Sequence, residues 1–179
     1  MPGKSRRAAG ALAAAGAITI VVAGCSSVAG TGTANPTDIA AYQSTLASSR
    51  AAAAADAARA ACAAWKSGND ARVVATRATV DFTKNPGWDW DGITTTLNAE
   101  LAAIATESGK LPAILTTAEP NPSLHTLLVD YKAKLGTYDQ ALRSDQAARG
   151  DGPQTWPKSN PARRDLIAST NVVLSACPG

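Results

Sequence analysis

Eleven of the fourteen residues from Ala51 to Ala64 are alanine, and this run limits the fold more than any other stretch. Alanine has the highest intrinsic helix propensity, because it gives up no side-chain freedom on entering a helix. Its small side chain also lets a second helix approach closely. The run lies within a longer stripe in which Ile39, Tyr42, Leu46, Ala53, Ala57, Ala61 and Trp65 recur on one face at helical spacing. Thr37, after Pro36, is placed to cap its start, and Gly68 lies just past its end. The pattern predicts a first helix from about Thr37 to Lys66. Arg50 interrupts the apolar face and requires a partner or an exit to solvent.

Helical spacing continues along the chain. Val73, Val74, Ala78 and Phe82 suit a helix from Asn69 to Asn85, capped by Asn69 and stopped by Asn85-Pro86, although Thr76, Thr79 and Val80 also suit a strand. Pro86 to Asp91 is a turn. Ile93, Leu97, Leu101, Ile104, Leu111 and Leu115 mark a third helix, capped by Asp89 or Asp91. Gly109 and Pro112 are expected to break or kink it, because proline lacks a backbone donor and crowds the preceding turn. Asn121 and Pro122 open the next helix. Its Leu124, Leu128, Tyr131, Leu135, Tyr138 and Leu142 form the clearest heptad stripe in the chain, and Gly150 ends it. Arg149 to Asn160 reads as a loop. Pro161 opens a final helix whose face carries Leu166, Ile167, Thr170, Val173, Leu174 and Cys177. No repeat of fixed period is present.

The first 25 residues carry a different pattern. Lys4, Arg6 and Arg7 form a basic start, and an apolar run from Ala8 to Val22 ends in Ile18, Ile20, Val21 and Val22. Such a run is short and alanine-rich for a membrane span and fits a secretory signal. Val22-Ala23-Gly24-Cys25 resembles a bacterial lipobox, the motif read by the enzymes that lipidate a cysteine and cut before it. The resemblance implies cleavage between Gly24 and Cys25, and fatty acids such as palmitate on Cys25. It also implies anchorage to the cell membrane on its extracytoplasmic face. Two or three acyl chains hold firmly where one is marginal, at about 0.8 kcal/mol per buried methylene. Ser5-Arg6-Arg7 also resembles a twin-arginine export signal, without the bulky apolar residues that usually follow the pair, so the export route stays open. The expected organisation is a signal peptide at 1–24, a lipidated terminus and small, polar tether at 25–36, and one helical domain at 37–179.

Removing Lys4, Arg6 and Arg7 leaves 14 basic against 14 acidic residues. That balance gives no reason to expect nucleic acid or an anionic surface as partner. With Cys25 taken by lipid, Cys62 and Cys177 remain, and in an oxidising compartment they are expected to form a disulfide. Both lie near the C-terminal ends of their predicted helices, so bridging them requires those helices to run parallel. In an up-and-down arrangement the last helix is then odd-numbered, which favours five helices and a helix at 69–85. The fold expected is all-α, an up-and-down bundle of four to five helices with a disulfide between the first and last.

Trp88-Asp89-Trp90-Asp91 is the leading candidate for a ligand surface, with Trp156 from another loop able to join it. Indole faces stack on sugar rings and carboxylates accept sugar hydroxyls. The competing role is structural, with both tryptophans lidding the bundle and an aspartate capping the third helix. Those two aspartates with Asp81 or Asp70 are too sparse for a calcium loop. His125, with Tyr131 or Tyr138, is a weak haem-binding set. Arg149-Gly150-Asp151 spells an adhesion tripeptide, but glycine after a helix end is ordinary capping. No serine, histidine and acid arrangement is identifiable, and the Glu-x-x-His of di-iron bundles is absent, so an enzyme, a cofactor and a metal site are not expected.

Ala61-Cys62-Ala63-Ala64-Trp65, the leucine-rich central helices and the close at Ala176-Cys177 are similar to small helical lipoproteins exported by high-GC Gram-positive bacteria. The resemblance implies a place in the cell envelope and little about activity. The expected function is a non-enzymatic, membrane-anchored lipoprotein serving as an interaction or accessory module for an envelope protein partner. The alternative is a lipoprotein that captures a cell-wall glycan, a lipid or haem.

Overall fold

The computed structural model describes residues 35–152 and 155–177. The expected signal peptide, the lipobox with Gly24 and Cys25, and all but the last two residues of the tether lie outside them. The described residues form four helices: α1 (Pro36–Phe82), α2 (Thr94–Ala118), α3 (Pro122–Ala148) and α4 (Ser159–Ala176). No strand occurs among the described residues.

The first two predicted helices are one. α1 runs straight through Gly68 and Asn69, and Thr76, Thr79 and Val80 are helical within it. Gly68 is a contact rather than a stop. A β-carbon there would lie 3.3 Å from Glu107 Cγ of α2, so glycine allows the two helices to close up. Asn69 is buried and accepts a hydrogen bond from Arg72 Nη2 at 2.7 Å instead of capping a helix end. α2 likewise passes through Gly109 and Pro112 without a break. Both face solvent, while Leu111 and Ile114 on the other side are buried. Packing of that apolar face outweighs the one backbone bond that proline forgoes. α3 starts as expected, with Pro122 in its first turn and Asn121 Oδ1 accepting from Leu124 N at 3.1 Å.

Cross-helix bonds set the topology. Arg72 reaches Glu107 while Phe82 lies against Gly92, Tyr131 and Tyr138 reach Glu107 and Glu100, and Ser159 and Ser169 reach Asp145 and Asp130; each pair of contacts runs in opposite order, so successive neighbours are antiparallel. The core is built from Trp65 of α1, Leu97, Ile104 and Leu111 of α2, Leu128, Tyr131 and Leu135 of α3, and Leu166 and Val173 of α4. α4 opens at Ser159, two residues before Pro161. Its cap comes from α3: buried Asp145 accepts from Ser159 N and Ser159 Oγ, each at 2.7 Å, and from Lys158 N at 3.2 Å. Three donors at a helix N-terminus suit a carboxylate.

Cys62 and Cys177 are bonded, with α-carbons 5.7 Å apart. The bridge joins α1 to the end of α4 although the bundle has four helices rather than five. The parity argument fails because Cys62 is not near a helix end. It lies where α1 first enters the core, beside Ala58 and Ala61. From Pro36 to Ala57 no side chain of α1 is buried, Arg50 included. At 1.5 Å per residue this arm is about 33 Å long.

Reduction of the disulfide, or Cys177→Ser, is expected to lower unfolding free energy by about 4–5 kcal/mol in the chain-entropy description of so long a loop. Asp145→Ala is expected to cost about 3 kcal/mol, and Asp145→Asn less, since the amide retains one acceptor. Denaturant unfolding of the oxidised protein checks both.

Candidate functional site

Two polar layers cross the apolar core. α2 places Glu100 and Glu107 on the stripe that carries Leu97, Ile104 and Leu111, and both are 1 % exposed. They stand seven residues apart and meet two tyrosines of α3 with the same spacing. In the first layer Tyr131 Oη donates to Glu107 Oε1, and Arg72 Nε donates to Glu107 Oε2 at 2.8 Å. Arg72 is itself buried and spends Nη2 on Asn69 and Tyr131. In the second layer Tyr138 Oη donates to Glu100 Oε1 at 2.6 Å. No ion pair reaches Glu100 among the described residues.

Burial dominates the electrostatics of both layers. It raises the Tyr138 hydroxyl far above the ordinary phenol range, and the adjacent Glu100 carboxylate adds to the effect. Tyr131 is raised by burial in the same way, with Arg72 opposing. Both phenols therefore remain protonated and donate. Burial also raises the Glu107 carboxyl above its ordinary value, against the lowering influence of Tyr131 and Arg72. For Arg72, burial opposes the charge, and Tyr131 with Glu107 more than offsets it.

The second layer borders open space. A cavity of about 210 Å³ is lined by Thr79, Val80 and Thr83 of α1, Glu100 of α2, Tyr138 and Leu142 of α3, and Ser159, Asn160 and Arg163 of α4, with Trp156. It adjoins a larger groove of about 430 Å³ along the α1–α4 seam, which shares Val80 and Arg163 and includes Arg77 and Ile167. The seam is open because α1 packs on α2 and α4 on α3, while α1 and α4 touch chiefly through the disulfide. Two buried polar atoms in this region, Arg163 Nε and Thr76 Oγ1, have no hydrogen-bond partner among the described residues.

The three tryptophans singled out in the sequence do come together. Trp156 stacks on Trp88 with ring centroids 6.2 Å apart, and Trp90 lies 5.0 Å from Trp156 and 5.5 Å from Trp88. All three are half-buried. Trp90 Nε1 donates to Gly150 O at 3.0 Å, tying this cluster to the end of α3. Asp89 accepts from Gly92 N at 2.6 Å and so stabilises the turn ahead of α2, while exposed Asp91 faces Arg149 at 3.3 Å. Arg149, not Gly150, takes the left-handed conformation after α3, with φ 46°. The aspartates do not assemble a cation site: Asp70 pairs with Lys66 and Asp81 with Lys84. Among the described residues no three His, Cys, Asp or Glu side chains converge. His125 is half-buried, and Tyr131 and Tyr138 are engaged with glutamates.

Glu100, Arg72 and Arg163 were not among the residues picked out from sequence. A signal for the first existed. Two glutamates seven apart on an apolar stripe pair in reverse order with two tyrosines seven apart on another.

No protein family, no curated protein and no solved structure matches this chain.

The raised Glu107 value has a definite sign. The folded state takes up this proton more readily than the unfolded chain. Its contribution to stability is complete below the ordinary value of 4.5 and declines as pH rises through the shifted one. Unfolding free energies measured from pH 4 to 7 are expected to lose that declining component in Glu107→Gln.

Proposed function

We propose that this chain is an exported, lipid-anchored envelope protein whose helical bundle is a non-enzymatic, ligand-binding module, with its site in the cavity between α1 and α4. The observation that carries the binding part is the cavity itself. It is walled by Trp156 and floored by a buried carboxylate that meets one hydrogen-bond donor among the described residues, Tyr138. Buried charge without a counter-charge is costly, so a fold that retains it beside an open cavity has the makings of a binding site. Support for export and anchorage comes from Val22-Ala23-Gly24-Cys25 after a basic, apolar leader. The Cys62–Cys177 bond agrees with an oxidising compartment. No described helix is long and apolar enough to cross a membrane.

A second reading, an interaction or accessory module for an envelope protein, is favoured by the α1 arm. None of its residues from Pro36 to Ala57 is buried, and Tyr42 is 69 % exposed.

Growth with labelled palmitate is expected to mark the protein, and Cys25→Ala is expected to abolish both label and membrane association. Native mass spectrometry of protein released in mild detergent from its own membranes is expected to find a small bound molecule. A chain without label refutes the anchor, and a chain without adduct refutes the binding site.

A further inference from the structure

The two polar layers are built on one plan, and the second lacks a part. In the first, a glutamate of α2 and a tyrosine of α3 are completed by Arg72 of α1. One heptad further along each helix, the glutamate and tyrosine recur as Glu100 and Tyr138, but the α1 position seven residues after Arg72 is Thr79. Threonine carries no charge and supplies no cation. The space a guanidinium fills in one layer is, in the other, a cavity of about 210 Å³ against Glu100. On its α4 side lies Arg163, half-buried, its Nε unpartnered among the described residues, and more than ion-pair distance from Glu100. Opposite charges therefore border one cavity without neutralising each other.

We propose that this cavity binds a small zwitterion of the amino-acid type, its ammonium group on Glu100 and its carboxylate on Arg163. The ammonium takes the role that Arg72 plays in the neighbouring layer. The ligand's uncharged side chain lies against Val80, Leu142 and Trp156. An apolar cavity of about 150 Å³ holds one benzene, so this volume suits a molecule of about ten non-hydrogen atoms or fewer. A neutral sugar leaves both charges unanswered. A simple anion meets Glu100, and a simple cation leaves Arg163 unpaired. The inference rests on reading the seam as a ligand site and names the class of ligand.

The test uses the full, disulfide-bonded chain in detergent micelles, titrated by calorimetry and by tryptophan fluorescence. The probes are free amino acids with uncharged side chains, their methyl esters (ammonium alone), their N-acetyl derivatives (carboxylate alone), and glucose with N-acetylglucosamine. The expected order is free amino acid tightest, methyl ester at least tenfold weaker, and N-acetyl derivative and sugars undetectable. Glu100→Gln is expected to weaken the free amino acid at least thirtyfold. Arg163→Gln is expected to erase the preference for free acid over ester. Thr79→Arg supplies the missing guanidinium from within, and is expected to raise the melting temperature while abolishing binding. Sugar binding without amino-acid binding overturns the zwitterion and leaves a ligand site standing. If no probe binds, the zwitterion is overturned. If protein from native membranes also carries no adduct, the ligand site falls with it. A Thr79→Arg protein that folds and still binds amino acids equally well refutes the missing-cation account directly.

Discussion

The bundle depends on how its ring of four helices is closed. α1 with α2 and α3 with α4 are two antiparallel hairpins joined by the contact of α2 on α3. The fourth side of the ring, between α1 and α4, is held by a covalent bond at one end and is open along the groove beyond it. Apolar burial scales with area removed from water, and a seam with so little contact contributes little of it. The Cys62–Cys177 bond supplies what packing there does not, by fixing the end of α4 to the point where α1 enters the core. Asp145 acts at the other end of α4, binding its first backbone amides from α3. With both ends fixed by something other than side-chain packing against α1, the seam can remain open and polar without loosening the fold.

The polar layers also specify register. Glu107 opposite Tyr131 and Glu100 opposite Tyr138 are two pairs one heptad apart on antiparallel helices. Apolar stripes alone tolerate a slide of seven residues, because leucine replaces leucine. A slide in one direction leaves Glu100 on Tyr131 but sets Glu107 against Leu124, with a buried carboxylate facing hydrocarbon. The opposite slide leaves Glu107 on Tyr138 and sets Glu100 against Asp145, two buried like charges. Either error costs several kcal/mol, the scale of an uncompensated buried ion, so α2 and α3 have one alignment.

The sequence made the helical class, the α3 stripe, the Asn121–Pro122 start and the Cys62–Cys177 partnership legible, because each rests on local chemistry or on a small number of cysteines. It misled wherever a residue had a second use that only tertiary structure reveals. Gly68 looks like a helix stop because glycine ends helices often, but glycine is also what two closely packed helices need. Asn69 looks like a cap and is a buried acceptor for Arg72. Pro112 looks like a break and is harmless on the solvent face of a helix held by its other side. The bridge, counted from false helix ends, then favoured five within the expected four to five helices, where the structure has four. At the candidate site the tryptophans were found because aromatic residues in loops are conspicuous. Arg163 was not, since the cavity it lines exists only once α4 has packed beside the other three helices.

The contrast between the two layers bears on why polar residues occupy this core at all. If they served register alone, both layers would be closed from α1, since a second Arg72-like side chain would neutralise Glu100 and fill the cavity at no cost to alignment. Thr79 stands there instead, and Arg163 lines the same space from α4 without meeting the carboxylate. Register therefore accounts for the glutamates and tyrosines but not for the gap beside one of them. A buried carboxylate that its counter-charge does not reach is an energetic liability to the fold alone. It becomes an asset once something of the right charge and size occupies the space.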